Sequence, residues 1–176
     1  AFGTDVAVIR KLRQVKNREL RQQTIQAIND NPIRHKLFEQ WVKSNLGKRG
    51  ASARYMSAGL VTTEVAEKVA ELSGQEKTAE LVLVMTEKRL AHANSEKHHK
   101  TGVGLTVDEY ASISRIIAKP SAVIWDRDNK NLIYLNADKT IKVVVDTPNK
   151  DKIKPSEQVD AVINVYKVNI QDVENA

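Results

Sequence analysis

The sequence of 176 residues predicts an α+β fold, in which amino-terminal α-helices are followed by a small antiparallel sheet packed with helices. Two observations predict this class. Apolar residues recur with the spacing of amphipathic helices through most of the first 119 residues, whereas short runs rich in Val, Ile and Tyr follow Pro120. Helical patterns that precede a block of strand patterns are typical of α+β proteins.

The first 50 residues predict a helical hairpin. Thr4 is a suitable N-cap for a helix over residues 5–29, which ends at the turn-forming residues before Pro32. A second helix follows Pro32, and His35 is isolated beside its apolar stripe, so we interpret His35 as a surface residue of that helix. That second helix is predicted by six apolar residues with the spacing of one helix face: Ile33, Leu37, Phe38, Trp41, Val42 and Leu46.

The middle of the chain predicts a linker, two helices and a strand. Residues 50–59 are rich in Gly, Ala and Ser, which favours a linker, and a third helix then extends to about residue 73. The apolar run at residues 79–86 predicts a buried strand. Residues 87–97 have a helical pattern, and a loop with two Gly residues follows.

The last part predicts one more helix and then an antiparallel meander. Thr106 and Glu109 have the spacing of a capping box, and the helix they begin ends before Pro120. Trp125 and Tyr134 fall in strand positions, where aromatic residues more often pack across strands than stack on bases. Four runs have the composition of strands: residues 122–126, 132–135, 141–145 and 161–168.

Composition limits the classes of function. Hydrophobic residues make up 41% and charged residues 28%, as in a folded domain, and no apolar run approaches the roughly 18 residues of a membrane-spanning helix. The absence of Cys excludes disulfides, thiolate nucleophiles and Cys-based metal sites. The chain begins Ala1-Phe2 with neither an initiator Met nor a signal peptide, so we expect it to be a piece of a longer protein.

The basic charge is concentrated in the first third of the chain. Residues 1–50 contain eleven Lys and Arg against four Asp and Glu, whereas residues 51–176 contain seventeen against eighteen. A basic helical segment can bind a phosphate backbone or an acidic protein. A solvated helix face explains the same pattern without any ligand.

One cluster of residues has the chemistry of a catalytic site. His92, His98 and His99 lie within eight residues and are surrounded by Lys and Arg. A His with a near-neutral pKa can exchange a proton with a phosphodiester, and nearby Lys can stabilise the developing charge. If the nucleophile is the 2′-OH of RNA, the reaction requires neither a metal nor a cofactor.

Two other interpretations of the cluster remain. His92 and Glu96 have the spacing of a metal-ligand pair, but the surrounding cations repel a divalent ion, so we predict no metal site. A solvated helix end is the simpler alternative, since His98 and His99 would stabilise the C-terminus of a helix through its dipole.

The order of these features resembles a known family. The features come in a fixed order along the chain. A strand at residues 81–86 is followed by His92, by the basic loop at residues 97–100, by a Leu-Thr helix start at residue 105 and by two or three strands after Pro120. This order is similar to the carboxyl-terminal nuclease-like domains of Mu F-type minor head proteins of tailed phages, in the barnase–EndoU–colicin D–RelE group. The resemblance covers about residues 80–170.

The resemblance implies a site and a function. It implies metal-independent RNA cleavage, in which one His removes the 2′-OH proton and a second His or a Lys protonates the leaving oxygen. The implied catalytic residues are His92, Lys97, His98 and His99. The residues implied to bind substrate are Arg89, Lys100, Tyr134, Lys142 and Tyr166.

The resemblance also implies partners and a division of the chain. We expect a basic hairpin or linker region at 1–50, a connecting helix at 51–78 and the nuclease-like domain at 79–176. The implied partners are RNA, a phage head or portal protein and an immunity protein. We expect neither a membrane nor a cofactor to take part. The implied location is the virion or the bacterial cytoplasm. The alternative is a structural or adaptor domain of a phage head without catalysis, and a DNA-packaging accessory is a third possibility.

Overall fold

The computed structural model describes residues 11–12, 14–45, 55–73, 82–87, 90, 105–129, 131–146 and 161–167. The helices in this part are α1 (Arg18–Asp30), α2 (Pro32–Asn45), α3 (Thr63–Ser73), α4 (Val107–Ala111) and α5 (Ile113–Ala118). The strands are β1 (Tyr55–Leu60), β2 (Val82–Thr86), β3 (Ala122–Asp126), β4 (Asn131–Leu135), β5 (Ile141–Asp146) and β6 (Ala161–Lys167). No helix within these ranges is long and apolar enough to cross a bilayer.

The strands form one six-stranded sheet in the order β1-β2-β6-β5-β4-β3. The last four strands pair antiparallel in sequence order, so the predicted meander is confirmed. β1 pairs antiparallel with β2, and β2 pairs parallel with β6. The α+β class is therefore confirmed, and the sheet is larger than predicted because two strands from earlier in the chain extend it.

The core lies between one face of the sheet and the helices. Val143 and Val145 alternate with less buried neighbours along β5, as expected for a strand with one face against a core. Phe38 of α2 and Ile113 of α5 are fully buried in the same hydrophobic cluster. Burial of such large side chains contributes roughly 1.5–3 kcal/mol each to folding.

A capping box begins the helical segment before the meander, as predicted. The Thr106 hydroxyl accepts a hydrogen bond from the Glu109 backbone N–H at 3.1 Å, and the Glu109 carboxylate accepts one from the Thr106 N–H at 2.8 Å. The segment continues through α5 and ends before Pro120, also as predicted. It differs from the prediction in having a break between α4 and α5, at Ser112.

The first predicted helix is interrupted in its described part, at residues 14–17. Residues 1–10 lie outside the described ranges, and α1 begins only at Arg18. The side chain of Asn17 accepts a hydrogen bond from the Leu20 N–H at 3.1 Å and so caps a new helix at this point. Just before it, the Gln14 N–H donates to Lys11 O in a tight turn instead of continuing a helix.

The predicted linker at residues 50–59 is wrong for residues 55–59. These residues belong to β1, and Ser57, Ala58 and Gly59 are all buried. Their small side chains are required because α1, α2 and α5 all pack against β1. A segment rich in small residues is therefore a tightly covered edge strand.

The predicted surface position of His35 is wrong as well. The buried face of α2 consists of His35, Phe38 and Val42, whereas Ile33 and Leu37 are 67% and 41% exposed. The second helix itself is confirmed, from Pro32 to Asn45. The buried face of α2 is rotated away from the predicted apolar stripe, because the His35 imidazole contacts the Ser114 hydroxyl of α5.

Candidate binding cleft

A cleft of about 350 Å³ opens between the helices and the β3–β4 end of the sheet. Residues of β3 and β4 form one side, and α1 and α3 contribute the others. The end of α5 and Pro120 close it below. The cleft is bounded by five elements: α1, α3, α5, β3 and β4.

The sheet side of the cleft is aromatic and aliphatic because of strand register. Val123 pairs with Tyr134, and Trp125 pairs with Leu132. Directly paired residues of antiparallel strands share a face, so all four side chains lie toward the helices. Trp125 is partly buried, while Leu132 and Tyr134 are buried.

Two polar groups of this wall can donate a hydrogen bond. The indole Nε1 of Trp125 is buried without a hydrogen bond. Tyr134 is 2% exposed, and no hydrogen bond joins its hydroxyl to any residue in the described ranges. Burial raises the pKa of the Tyr134 phenol, so this group remains a protonated hydrogen-bond donor at neutral pH. The wall therefore presents two donors, of which the Trp125 indole N–H is buried without an acceptor among the described residues.

The helical side of the cleft is held by two glutamines of α1. The Gln22 side-chain oxygen accepts a hydrogen bond from the Glu64 N–H at 2.9 Å, which fixes the start of α3. Gln26 donates from Nε2 to Ala118 O at 3.2 Å, which joins α1 to the end of α5. These bonds hold the walls in place without filling the cleft.

The predicted site residues fall into three groups. His92, Lys97, His98, His99, Arg89 and Lys100 lie outside the described residues. Tyr134 lies on the helix side of the sheet, in the cleft. Lys142 of β5 is the register partner of Tyr166 on β6. The Lys142 side chain lies on the sheet face opposite to that of Tyr134, because the next residue, Val143, pairs with Tyr134. The structure thus separates Lys142 from Tyr134 across the sheet.

Metal binding has no support in the described ranges, where no group of three His, Cys, Asp or Glu residues is placed to hold an ion. Sequence reasoning did not identify the cleft. Its lining comes from separate elements, and Tyr134 and Trp125 were the two residues of it that a strand pattern singled out.

Comparison with known proteins finds two relatives that align with this chain along nearly its whole length. The chain is 70% identical over 175 residues, 98% of this chain and 42% of the relative, to the "Mu-like prophage FluMu F protein" of Haemophilus influenzae. It is 33% identical over 178 residues, all of this chain and 38% of the relative, to the "Putative capsid assembly protein F" of Escherichia phage Mu. Both relatives are thus named as F proteins, one of a Mu-like prophage and one of phage Mu.

The Mu F-type similarity has limits of coverage. The chain spans about two fifths of the length of the curated relatives it matches. No family model matches the chain, and no solved structure matches it. The F-type part of the sequence-based resemblance is therefore supported, whereas no comparison supports the part that concerns the nuclease group.

Proposed function

We propose that this chain is a structural segment of a phage head assembly protein and that it acts by binding other head components. The observation that carries this proposal is the alignment along the whole chain with a phage Mu relative named as a putative capsid assembly protein. The prophage F protein, at 70% identity, extends the same alignment to a second relative. The site of action is the virion or its precursor.

The fold is consistent with a binding role. The described part is a helical layer on a six-stranded sheet, in which the buried side chains of Asn29 and His35 join elements to each other. Exposed apolar side chains remain on the helical surface, including Ile33, Leu37 and Leu72. Such positions are available for contact with other proteins, although single exposed apolar residues are also normal on any surface.

The direct experiment is sedimentation of the purified chain with phage heads. We expect the labelled chain to sediment with heads that were assembled without the F-type protein. An excess of unlabelled chain should displace it from these heads. Binding that disappears at high salt but shows no saturation would indicate nonspecific attraction by the basic segment. Failure to sediment with any head form would contradict the proposal.

Ribonuclease activity at His92, Lys97, His98 and His99 stays a separate prediction. RNA and an immunity protein as partners depend on the same prediction. Its test is cleavage of total RNA in EDTA by the wild-type chain and by a variant with His92→Ala, His98→Ala and His99→Ala. Cleavage that survives EDTA and falls more than tenfold in the variant supports a catalytic site, and no cleavage by the wild type contradicts it.

A further inference from the structure

We propose that the cleft between α1, α3 and the β3–β4 strands binds a small neutral molecule with a ring-sized apolar body and a carbonyl-type hydrogen-bond acceptor. This site is independent of the head-assembly proposal. It is supported by the cleft's size, its apolar walls and two hydrogen-bond donors on its sheet side, of which the Trp125 N–H is buried without an acceptor.

The size of the cleft matches a small molecule. Its volume of about 350 Å³ lies at the lower end of the range of roughly 300–1,000 Å³ for small-molecule sites. The sheet closes one side, and the glutamine hydrogen bonds hold α1 against Glu64 and Ala118 on the other. A pre-formed cleft of this kind binds without the cost of ordering a loop.

The apolar side chains that line the cleft favour a ligand with an apolar body. Trp125, Leu132 and Tyr134 line the sheet side, and Val65, Val69 and Ile117 line the helical side. Displacing water from these apolar surfaces favours binding of an apolar group. Aromatic rings in the wall also favour a planar ligand that packs against them in an offset or edge-to-face arrangement.

The hydrogen-bond donors on the sheet side of the cleft favour a ligand that carries an acceptor. An indole N–H can only donate a hydrogen bond, and the Tyr134 hydroxyl is protonated at neutral pH. Buried polar groups without partners are uncommon in folded proteins, and a ligand is one way in which they are satisfied. A ligand acceptor at this wall would therefore pair with the Tyr134 hydroxyl, and a small shift of the Trp125 ring would bring in the second donor.

The charge of the cleft favours a neutral acceptor. Lys68, the cationic side chain of the lining, is exposed at the rim and lies 3.6 Å from the Glu71 carboxylate. Glu64 adds a second carboxylate at the rim. Burial of a ligand carboxylate would be costly without a buried cation beside it. A ketone or amide oxygen meets the donors without that cost.

The test uses three probes of similar shape and the wild-type chain. Acetophenone carries a carbonyl, ethylbenzene lacks it, and benzoate carries a charge. Titration followed by backbone and tryptophan indole NMR shifts is expected to show that acetophenone binds about three- to tenfold more tightly than ethylbenzene and that benzoate binds most weakly. The shifts are expected at Trp125 and Tyr134. No saturable binding of any probe, or shifts centred away from the cleft, would overturn the proposal.

Two tyrosine variants test the role of the hydroxyl. Tyr134→Phe removes one oxygen from the cleft wall, and we expect it to abolish the preference for acetophenone over ethylbenzene. Tyr110→Phe is the matched control, since Tyr110 is also buried and its hydroxyl also lacks a partner, but it is not part of the cleft. Equal loss of preference in both variants, or no loss in Tyr134→Phe, would overturn the assignment of the donor.

Discussion

His35 Nδ1 lies 2.8 Å from the hydroxyl oxygen of Ser114, and this buried contact joins α2 to α5. Both residues are almost fully buried. The contact explains why the buried face of α2 is rotated toward His35 and leaves Ile33 and Leu37 in solvent. A polar residue thus occupies a core position because its partner across the interface satisfies it.

Stability is expected to fall at mildly acidic pH because of His35. Burial lowers the pKa of this imidazole, and the positive charges of Arg115 and Arg34 lower it further. A lowered pKa in the folded state means that the unfolded chain binds the proton more tightly, so the contribution is complete above the unfolded pKa of about 6.5 and is lost as pH falls toward the folded pKa.

Urea unfolding at pH 7.5 and pH 5.5 measures this effect. The wild-type chain should lose more free energy of unfolding between the two pH values than a His35→Gln variant, in which the other histidines are unchanged. An equal loss in the two proteins would show that His35 does not cause the pH dependence.

Asn29 is expected to be a major determinant of stability. Its side-chain Nδ2 donates to Leu60 O at 2.9 Å, and its Oδ1 accepts from the Leu60 N–H at 2.8 Å. Through these two bonds α1 satisfies the backbone at the end of the edge strand β1. Asn29→Ala leaves both buried backbone groups unpaired and should cost about 2–4 kcal/mol in urea unfolding.

The half-buried Asn45 supplies the control for Asn29. It donates one bond, to Trp41 O within its own helix, at 2.8 Å. Asn45→Ala should cost less than about 1 kcal/mol. Similar losses at the two positions would contradict the special role of the Asn29–Leu60 pair.

Gly59 is expected to tolerate no side chain. Its φ is +153°, and a Cβ built on it would lie 3.0 Å from Ile117 Cγ2 and 3.2 Å from Asn29 Oδ1. Gly59→Ala therefore adds backbone strain and a clash with α5, and should lower the free energy of unfolding by about 1–3 kcal/mol. A variant as stable as the wild type in urea would show that β1 and α5 separate at little cost.

The capping box at Thr106 gives a smaller, local prediction. Thr106→Ala removes the acceptor for the Glu109 N–H and should cost about 1 kcal/mol in urea unfolding. Val107→Ala, at the next and exposed position, should change stability by less than about 0.5 kcal/mol. The reverse order of the two losses would contradict the capping role.

Local signals in the sequence predicted much of the fold. Thr106 and Glu109 interact within four residues, and Pro120 acts on its own neighbours. The start and end of the helical segment that contains α4 and α5 could therefore be predicted from the sequence. The strands of the meander also carry their alternating pattern and turn residues locally. The parallel pairing of β2 with β6 joins segments far apart in sequence and has no such local signal.

The errors arise where distant residues decide the structure. β1 resembles a linker because its small residues are selected by contact with α5 and by the Asn29 side chain, neither of which is visible locally. His35 is placed in the core by Ser114, 79 positions later. The cleft depends on side chains from several elements, so its shape follows only from the packed fold.

The most direct test of a binding rather than a catalytic role is head formation by a Mu-type phage whose F protein carries this segment. One phage variant carries Phe38→Asp, which places a charge in the core and unfolds the segment, and another carries Ala at His92, His98 and His99. Electron microscopy of lysates should show at least about tenfold fewer filled heads for Phe38→Asp and a normal yield for the triple variant. A normal yield with Phe38→Asp, or an equal loss in the histidine variant, would contradict the assembly role proposed for this segment.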